Sequence, residues 1–167
     1  LRRVESAQAA LRALGFRGAN FTIPHKVAVI PLLDSLSPAA ELMGAVNCLK
    51  FEPDGRILAE MFDGIGLAND VETNLGVSMK NKRVLLLGAG GAARGALTAF
   101  LARGPSEVVV ANRTADKATA LAKQLGSQGK VTGCGYGDIG KSERFDLVFN
   151  ATSASLKGEL PPIDAAV

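Results

Sequence analysis

The chain has 167 residues, 47% hydrophobic and 21% charged, and this composition is typical of a folded globular protein rather than a disordered or fibrous one. Its formal net charge of +3 is small and its basic residues are scattered, so nothing supports a nucleic-acid-binding surface. No apolar stretch is long enough to span a bilayer, no secretory signal is visible, and Cys48 and Cys134 form no metal-binding motif. We expect a cytoplasmic protein, monomeric or homodimeric, that has no metal, membrane or nucleic-acid partner.

The first half of the chain alternates short helical and extended patterns. Gly15 can end the first helix, and Ser37 followed by Pro38 can begin a later one. In chain order we predict a helix over 4–14, a strand over 19–23, a helix over 26–33 that Pro31 bends or ends, a helix from 37, strands over 45–51 and 56–59 joined by a turn, and a helix over 64–75.

The second half of the chain has a more regular pattern. Compact apolar runs alternate with helical patterns, and this alternation is typical of parallel βαβ units. We therefore predict an α/β protein whose two halves meet near residues 76–81. The predicted strands cover 83–87, 107–111, 131–134 and 145–149, and the predicted helices cover 92–102 and 115–125.

A glycine-rich turn joins the first strand and helix of this second half. It reads Gly88-x-Gly90-x-x-Ala93. Gly88 allows the tight turn, Gly90 lets a pyrophosphate approach the backbone, and Ala93 lets the helix pack closely on the strand. The free N–H groups at the start of the helix favour phosphate binding. Because the motif follows a strand and opens a helix, it predicts a dinucleotide site.

The end of the next strand indicates which dinucleotide is preferred. An NAD-binding fold usually places an acidic residue here to bind the ribose 2′-hydroxyl, but this strand ends in Asn112, Arg113 and Thr114. The guanidinium of Arg113 suits a 2′-phosphate, and Lys117 can add a second positive charge. Asp116 lies nearby and weakens this positive field. The sequence favours NADP.

Two potential proton-transfer residues lie in the first half. Pro24 ends the predicted strand, and Lys26 follows it two residues later in the TIPHK sequence of residues 22–26. Asp63 lies in a later Phe-Asp-Gly sequence. A carboxylate can hold a lysine in place while a carbonyl oxygen receives a proton. The spacing of the two residues does not by itself pair them, so two ordinary surface charges remain an alternative at this point.

The ordered motifs TIPHK, GAVN, DG, GAGGAAR, NRT and NATS together resemble the shikimate dehydrogenase family over nearly all of the chain. The resemblance implies an N-terminal α/β substrate-binding domain at 1–78 and a C-terminal Rossmann-type NADP-binding domain at 79–167. It implies NADPH-dependent reduction of 3-dehydroshikimate to shikimate, a step of aromatic amino-acid biosynthesis. We expect both domains to be incomplete, since family segments would precede Leu1 and follow Val167.

The resemblance also assigns site residues. It implies that Lys26 and Asp63 are catalytic and that Thr22, Asn47 and Asp63 contact the substrate. The cofactor-binding residues, including those of the glycine turn, are Gly88, Gly90, Gly91, Ala92, Asn112, Arg113, Thr114, Lys117, Asn150, Ala151, Thr152 and Ser153.

Some positions depart from the family pattern. Where the family usually has Asn-Thr before Asp-Gly, this chain has Met61 and Phe62, and Cys48 replaces a usual threonine. These changes indicate a paralogue that acts on 3-dehydroshikimate or on a close cyclic polyhydroxy acid. The alternative is a catalytically weak paralogue that binds a metabolite or nucleotide. A Rossmann enzyme of another family is disfavoured by the TIPHK motif.

Two other charged residues near the motifs have no assigned role. Arg94, just after the glycine turn, either reaches a cofactor phosphate or lies on the surface. We expect Glu60 to be an exposed surface residue.

Overall fold

The computed structural model describes residues 2–22, 24–140, 144–154, 158–161 and 163. The chain packs into two compact units, residues 1–63 and residues 64–167. Each unit has its own sheet. The boundary between folding domains that we predict between residues 78 and 79 remains a prediction.

The first unit contains a small mixed sheet of order β1-β3-β4-β2. Strand β3 is antiparallel to β1 and to β4, whereas β2 is parallel to β4. The elements are α1 (Arg2–Ala13), β1 (Gly18–Asn20), α2 (His25–Ala28), a 3-10 turn (Ile30–Leu32), β2 (Ser35–Leu36), α3 (Pro38–Met43), β3 (Cys48–Phe51) and β4 (Ile57–Glu60).

One face of this sheet forms the core of the first unit. Side chains alternate along a strand, so Leu49 and Phe51 of β3 point to the same face and are buried. They pack in one apolar cluster with Val4 of α1 and with Val29, which is fully buried. The neighbouring Cys48 and Lys50 point to the opposite face. The apolar alternation therefore fixes which face of the sheet the helices cover.

The predicted helix signals of the first unit are confirmed. The hydroxyl of Ser37 accepts a hydrogen bond from the N–H of Ala40 at 3.0 Å, which caps α3. Gly15 has a φ of +79°, and the N–H of Phe16 bonds the carbonyl of Leu11 at 3.0 Å, as in a glycine-terminated helix end. As predicted, the helix after Lys26 is interrupted, and Pro31 lies in the 3-10 turn that follows it.

The second unit contains a parallel sheet of order β7-β6-β5-β8. In chain order this is 3-2-1-4, the strand order of a dinucleotide-binding Rossmann fold. The elements are α4 (Asp63–Asn69, which begins at the last residue of the first unit), a π-helical turn (Asp70–Asn74), β5 (Arg83–Leu87), α5 (Gly91–Leu101), β6 (Glu107–Asn112), α6 (Ala115–Leu125), a 3-10 turn (Gly126–Gln128), β7 (Val131–Gly135), a 3-10 turn (Tyr136–Asp138) and β8 (Leu147–Asn150).

Several predicted bounds differ from the structure. The strand predicted from residue 45 begins at Cys48, because the N–H of Val46 bonds the carbonyl of Lys26 instead of a strand partner. The predicted helix over 64–75 divides into α4 and the π-helical turn. The strand predicted over 19–23 ends at Asn20, and Ile23 lies outside the described residues.

No helix in the described parts of the chain is both long and apolar enough to cross a membrane.

Candidate active site

The central feature of the first unit is an ion pair between Lys26 and Asp63. The Nζ of Lys26 donates a hydrogen bond to Oδ2 of Asp63. The lysine side chain is 14% exposed and the carboxylate 37% exposed, so the pair is sheltered but open to solvent on the side of the acid. The two ordinary surface charges that the spacing left possible are in fact partners.

The fold of the first unit brings these two distant residues together. Strands β1 and β4 run in the same direction, because each is antiparallel to β3, so their carboxyl ends meet at one edge of the sheet. Asp63 follows the end of β4 by three residues. After β1, the N–H of His25 bonds the carbonyl of Thr22 at 2.8 Å and starts α2, which carries Lys26. This edge is where parallel strands commonly place ligand-binding residues.

Asn47 links the elements of this edge. Its backbone N–H donates to the carbonyl of Glu60 at 3.0 Å, and its own carbonyl accepts from the N–H of Phe21 at 2.7 Å. Its side-chain Nδ2 donates to Oδ1 of Asp63, while Oδ1 accepts from the N–H of Phe62 at 2.9 Å. The residue is only 8% exposed. Asn47 and Lys26 therefore bind the two different oxygens of the Asp63 carboxylate.

The expected substrate residue Thr22 lies at the same edge, after β1, and its side chain is exposed. The bond from His25 to its carbonyl fixes its backbone. Thr22 thus lies four residues before Lys26, at the same edge of the sheet, but its hydroxyl makes no described hydrogen bond to the Lys26–Asp63 pair.

The departures from the family pattern divide into a buried and an exposed residue. Met61 is fully buried in an apolar cluster with Met43 and Ala45. Phe62 is 51% exposed, although its N–H is bound by Asn47. Met61 is therefore part of the apolar packing of the first unit. Phe62, the residue that precedes Asp63, exposes half of its surface to solvent.

The expectation that Glu60 is exposed is wrong. The residue is half-buried, and its Oε1 accepts hydrogen bonds from the hydroxyl of Ser37 at 2.6 Å and from the N–H of Met61 at 2.8 Å. It lines a cavity of about 650 Å³ in the first unit, together with Cys48 and Phe62. The sequence contained no signal for this contact, because Ser37 reaches Glu60 only through the pairing of β2 with β4.

The glycine-rich turn of the second unit has the backbone geometry that its motif predicts. Gly88 has a φ of +108°, and a Cβ there would lie 3.0 Å from the carbonyl oxygen of Ala151. Gly90 caps the N-terminus of α5 and has open space around it, so a phosphate can approach its backbone. Ala93 is fully buried, as expected for a helix packed against its strand. Gly91 and Ala92 begin α5 itself, and both are half-buried.

The end of β6 presents the residues expected at a 2′-phosphate. The Nδ2 of Asn112 donates to the carbonyl of Thr114 at 3.0 Å, which shapes the loop before α6. Arg113 and Lys117 are exposed, so both cations are available to a ligand. The two exposed cations thus lie just after β6 and in the first turn of α6.

Tyr136 is a residue of this region that the sequence analysis missed. It follows β7, and the pairing of Asn112 with Gly135 places it beside the end of β6. Burial raises the pKa of the Tyr136 phenol, and the charge of Arg113 opposes this shift. The phenol therefore lies within the electrostatic reach of Arg113. The order of strands, with β7 next to β6, was the available signal.

The loop after β8 is ordered by its own polar groups. The Oδ1 of Asn150 accepts from the N–H of Thr152 at 3.0 Å and from its hydroxyl at 2.7 Å, and the hydroxyl accepts from the N–H of Ala154 at 3.3 Å. The N–H of Ala151 bonds the carbonyl of Leu87 at 2.9 Å, which places this loop beside Gly88. Ser153 is exposed next to it.

Arg94 is not directed at the glycine turn. Its Nη1 donates to Oε1 of Gln124 on α6 at 2.9 Å, so of the two roles left open the structure supports a surface link between α5 and α6. In the described part of the chain, no three His, Cys, Asp or Glu side chains are grouped closely enough to hold a metal ion.

Comparison with protein families agrees with this geometry. The model described as shikimate / quinate 5-dehydrogenase matches residues 69–157, and that of the shikimate dehydrogenase substrate-binding domain matches residues 2–49. The chain belongs to the shikimate / quinate 5-dehydrogenase family. The predicted fold class is thereby confirmed: an α/β chain with a substrate-binding part followed by a Rossmann-type part.

Individual family members are similar over most of this chain. A shikimate dehydrogenase (NADP(+)) of Aeromonas salmonicida is 49% identical over 155 residues, 93% of this chain and 56% of that protein. The crystal structure of an Ael1 enzyme from Pseudomonas putida is 50% identical with a TM-score of 0.88, covering 99% of this chain and 60% of that one. A shikimate dehydrogenase in complex with NADP+ is 32% identical with a TM-score of 0.79, covering 99% and 57%. The chain thus spans a little over half the length of these relatives.

Proposed function

We propose that the protein is an NADP-dependent oxidoreductase that interconverts 3-dehydroshikimate, or a closely related cyclic polyhydroxy ketone, and the corresponding alcohol. The observation that carries this proposal is the sheltered ion pair of Lys26 and Asp63 at the carboxyl edge of the sheet. Relatives at 46% to 49% identity are named shikimate dehydrogenase (NADP(+)), which supports the same substrate class. Thr22, Asn47 and Asp63 are the proposed substrate contacts.

The proposed chemistry assigns a separate task to each charged group. Bound NADPH supplies the hydride that reduces the carbonyl carbon. Lys26 donates its ammonium proton to the carbonyl oxygen as negative charge develops there, and afterwards regains a proton from solvent. Asp63 holds the ammonium in place through Oδ2. Because Lys26 is only 14% exposed, few waters compete for its proton.

The proposed cofactor site consists of the turn after β5, the end of β6 and the loop after β8. The free N–H groups at the start of α5 bind the pyrophosphate, as the open space at Gly90 allows. Arg113 binds the 2′-phosphate through its planar guanidinium, with Lys117 as a second cation and with Asn112 and Thr114 shaping the loop. The remaining assigned residues are Gly88, Gly91 and Ala92 at the turn and Asn150, Ala151, Thr152 and Ser153 near the nicotinamide.

The domain boundary, compartment and oligomeric state that the sequence predicts belong to the same proposal. We place the division between the two domains at residues 78 and 79, and expect a cytoplasmic monomer or homodimer whose partner is a small molecule.

Replacement of Lys26 by alanine tests the catalytic assignment. We expect kcat for the reduction of 3-dehydroshikimate to fall by about 10²- to 10⁴-fold, the range of a lost general acid, with little change in NADPH affinity. The rate is followed by NADPH absorbance at 340 nm and the affinity by fluorescence titration. Lys123→Ala is the matched control, because Lys123 is an exposed lysine on α6.

Two results would contradict the proposal. Turnover that is undiminished in Lys26→Ala would remove the catalytic role of the lysine. Thermal stabilisation of the unaltered protein by shikimate and NADPH without any turnover would instead identify a metabolite- or nucleotide-binding paralogue.

A further inference from the structure

Asn47 has a second task within the proposed site, beyond the substrate contact that the family pattern implies. We infer that Asn47 is a positioning residue, which acts on the reaction through Asp63 by fixing the carboxylate that holds Lys26. The inference rests on the proposed function and deepens it. It follows from how completely the groups of this residue are bonded inside the protein.

The side chain of Asn47 is held at its own amide oxygen. That oxygen accepts the N–H of Phe62 at 2.9 Å, so the nitrogen of the same amide must point towards Asp63. Reversing the amide would place two N–H donors against the N–H of Phe62 and an oxygen against a carboxylate, and both contacts are unfavourable. The orientation of the amide is therefore fixed by the backbone of the residue next to Asp63.

The backbone of Asn47 is also held on both sides. Its N–H bonds the carbonyl of Glu60 at 3.0 Å and its carbonyl accepts the N–H of Phe21 at 2.7 Å, while the preceding N–H of Val46 bonds the carbonyl of Lys26 at 2.9 Å. The GAVN segment thus contacts the backbone that carries the lysine and the side chain of the acid. It sets the separation of the two charged residues.

The Asp63 carboxylate needs a second hydrogen-bond donor, besides Lys26, to keep its orientation. Oδ2 of Asp63 accepts from Lys26, and Oδ1 accepts from Asn47. Without the amide donor, Oδ1 would turn towards solvent, since the carboxylate is 37% exposed. Rotation of the carboxylate would then carry Oδ2 away from the ammonium. With the donor present, the carboxylate has one orientation before any substrate arrives, which is the preorganisation that proton transfer requires.

A double-mutant cycle separates positioning from direct contact. We expect Asn47→Ala to lower kcat by about 10- to 100-fold, in addition to the change in KM for the ketone that follows from losing the proposed substrate contact. In the Asp63→Asn background, the same substitution should lower kcat by less than about threefold, because the group through which it acts is already lost. An equal fall of kcat in both backgrounds, or a change in KM without a fall of kcat, would overturn the inference and leave only the proposed substrate contact.

A chemical measurement that needs no turnover distinguishes failure of this inference from failure of the proposed function. We expect Asn47→Ala to raise the rate at which an amine-acetylating reagent modifies Lys26, measured by mass spectrometry against exposed Lys123 as the internal reference. Asn47→Asp is the second variant: it retains the acceptor for the Phe62 N–H but replaces the donor to Asp63 with a negative charge. Because the added carboxylate favours the protonated, unreactive form of the Lys26 amine, labelling of Lys26 should fall in this variant and rise only in Asn47→Ala. Unchanged labelling in both variants would refute positioning, whatever the enzyme assays show.

Discussion

Both carboxylate oxygens of Asp63 accept hydrogen bonds from other residues of the protein. Lys26 and Asn47 bind one oxygen each, and each is presented by a different segment that reaches the same edge of the sheet. The motifs predicted the residue types, since a lysine after a proline-ended strand and an acid before a glycine are local patterns. Their pairing was not local, because it depends on β1 and β4 being parallel.

The proposed cofactor residues can also be tested singly, and Arg113 offers the sharpest test. Arg113→Asp replaces an exposed cation at the end of β6 with an acid. We expect affinity for NADPH to fall by about 10- to 100-fold, since a charge-assisted bond contributes about 1.5–3 kcal/mol. Affinity for NADH, which lacks the 2′-phosphate, should change little. Fluorescence titration with both nucleotides measures the difference.

The control for this prediction is Lys123→Asp, which makes the same change of charge on an exposed face of α6. It should leave the preference for NADPH over NADH unchanged. If Arg113→Asp weakens both nucleotides equally, the 2′-phosphate does not bind at this residue.

At the scale of elements, the second unit brings backbones unusually close where α4 meets α5. A Cβ at Gly64 would overlap the carbonyl oxygen of Gly95, so only glycine fits at this position. Arg103 reinforces the contact: its Nη2 donates to Oδ1 of Asn69 at 2.5 Å, and its Nε lies 3.6 Å from the carboxylate of Glu72. The glycine of the Asp-Gly motif therefore serves helix packing, a reason that the motif itself did not reveal.

Substitution of two glycines in the same helix tests this packing. Gly64→Ala should destabilise the protein by about 1–3 kcal/mol or more, because α4 must move away from α5 to make room for the methyl group. Gly66→Ala, with open space around it, should instead stabilise by up to about 1 kcal/mol through helix propensity. Thermal and urea unfolding measure both changes. Equal effects of the two substitutions would show that the Gly64 contact carries no weight.

At the scale of the whole molecule, charged residues connect the strands of the second unit at the amino end of its sheet. Arg83 at the start of β5 bonds Glu107 at the start of β6 at 2.9 Å, and Lys130 before β7 lies 3.4 Å from the same carboxylate. Asp146, before β8, accepts from the N–H of Arg83 at 2.8 Å. This bond, together with the ammonium of Lys82, lowers the pKa of Asp146. The proposed cofactor-binding residues lie at the opposite, carboxyl end of the strands, so this cluster stabilises the sheet without contacting the proposed site.

The Glu107 carboxyl group gives this cluster a defined pH dependence. Burial raises the pKa of Glu107, but the hydrogen bonds and charges of Arg83 and Lys130 lower it by more. The pKa of Glu107 therefore lies below its usual value of 4.5. A lowered pKa in the folded state contributes stability that is fully present above pH 4.5 and is lost as the pH falls through the folded-state pKa. Glu107→Gln should therefore flatten the fall of the melting temperature below pH 4.5. An NMR titration that finds Glu107 at 4.5 or above would contradict this expectation.

Most of the second unit could be predicted from sequence because its signals are local. Strand β5 is an apolar run, the glycine turn follows it, and α6 was predicted with the bounds that the structure shows, Ala115–Leu125. The first unit was harder. The strand β2 has two residues, too few to produce a pattern, and it exists only because it pairs with β4. The burial of Glu60 and the position of Tyr136 were missed because both depend on which strands pair.

Local signals were sufficient to predict most helices and strands, the glycine turn, the two cations after β6 and the residue types of the site, since periodicity, φ preferences and motif chemistry act over a few neighbouring residues. Three-dimensional packing was needed to show that Lys26, Asn47 and Asp63 form one hydrogen-bonded group, that Arg94 turns to Gln124, and that Gly64 must lack a side chain. These facts depend on which strands are neighbours and how closely helices approach, and a distance between residues far apart in sequence is set by packing, which no local pattern records.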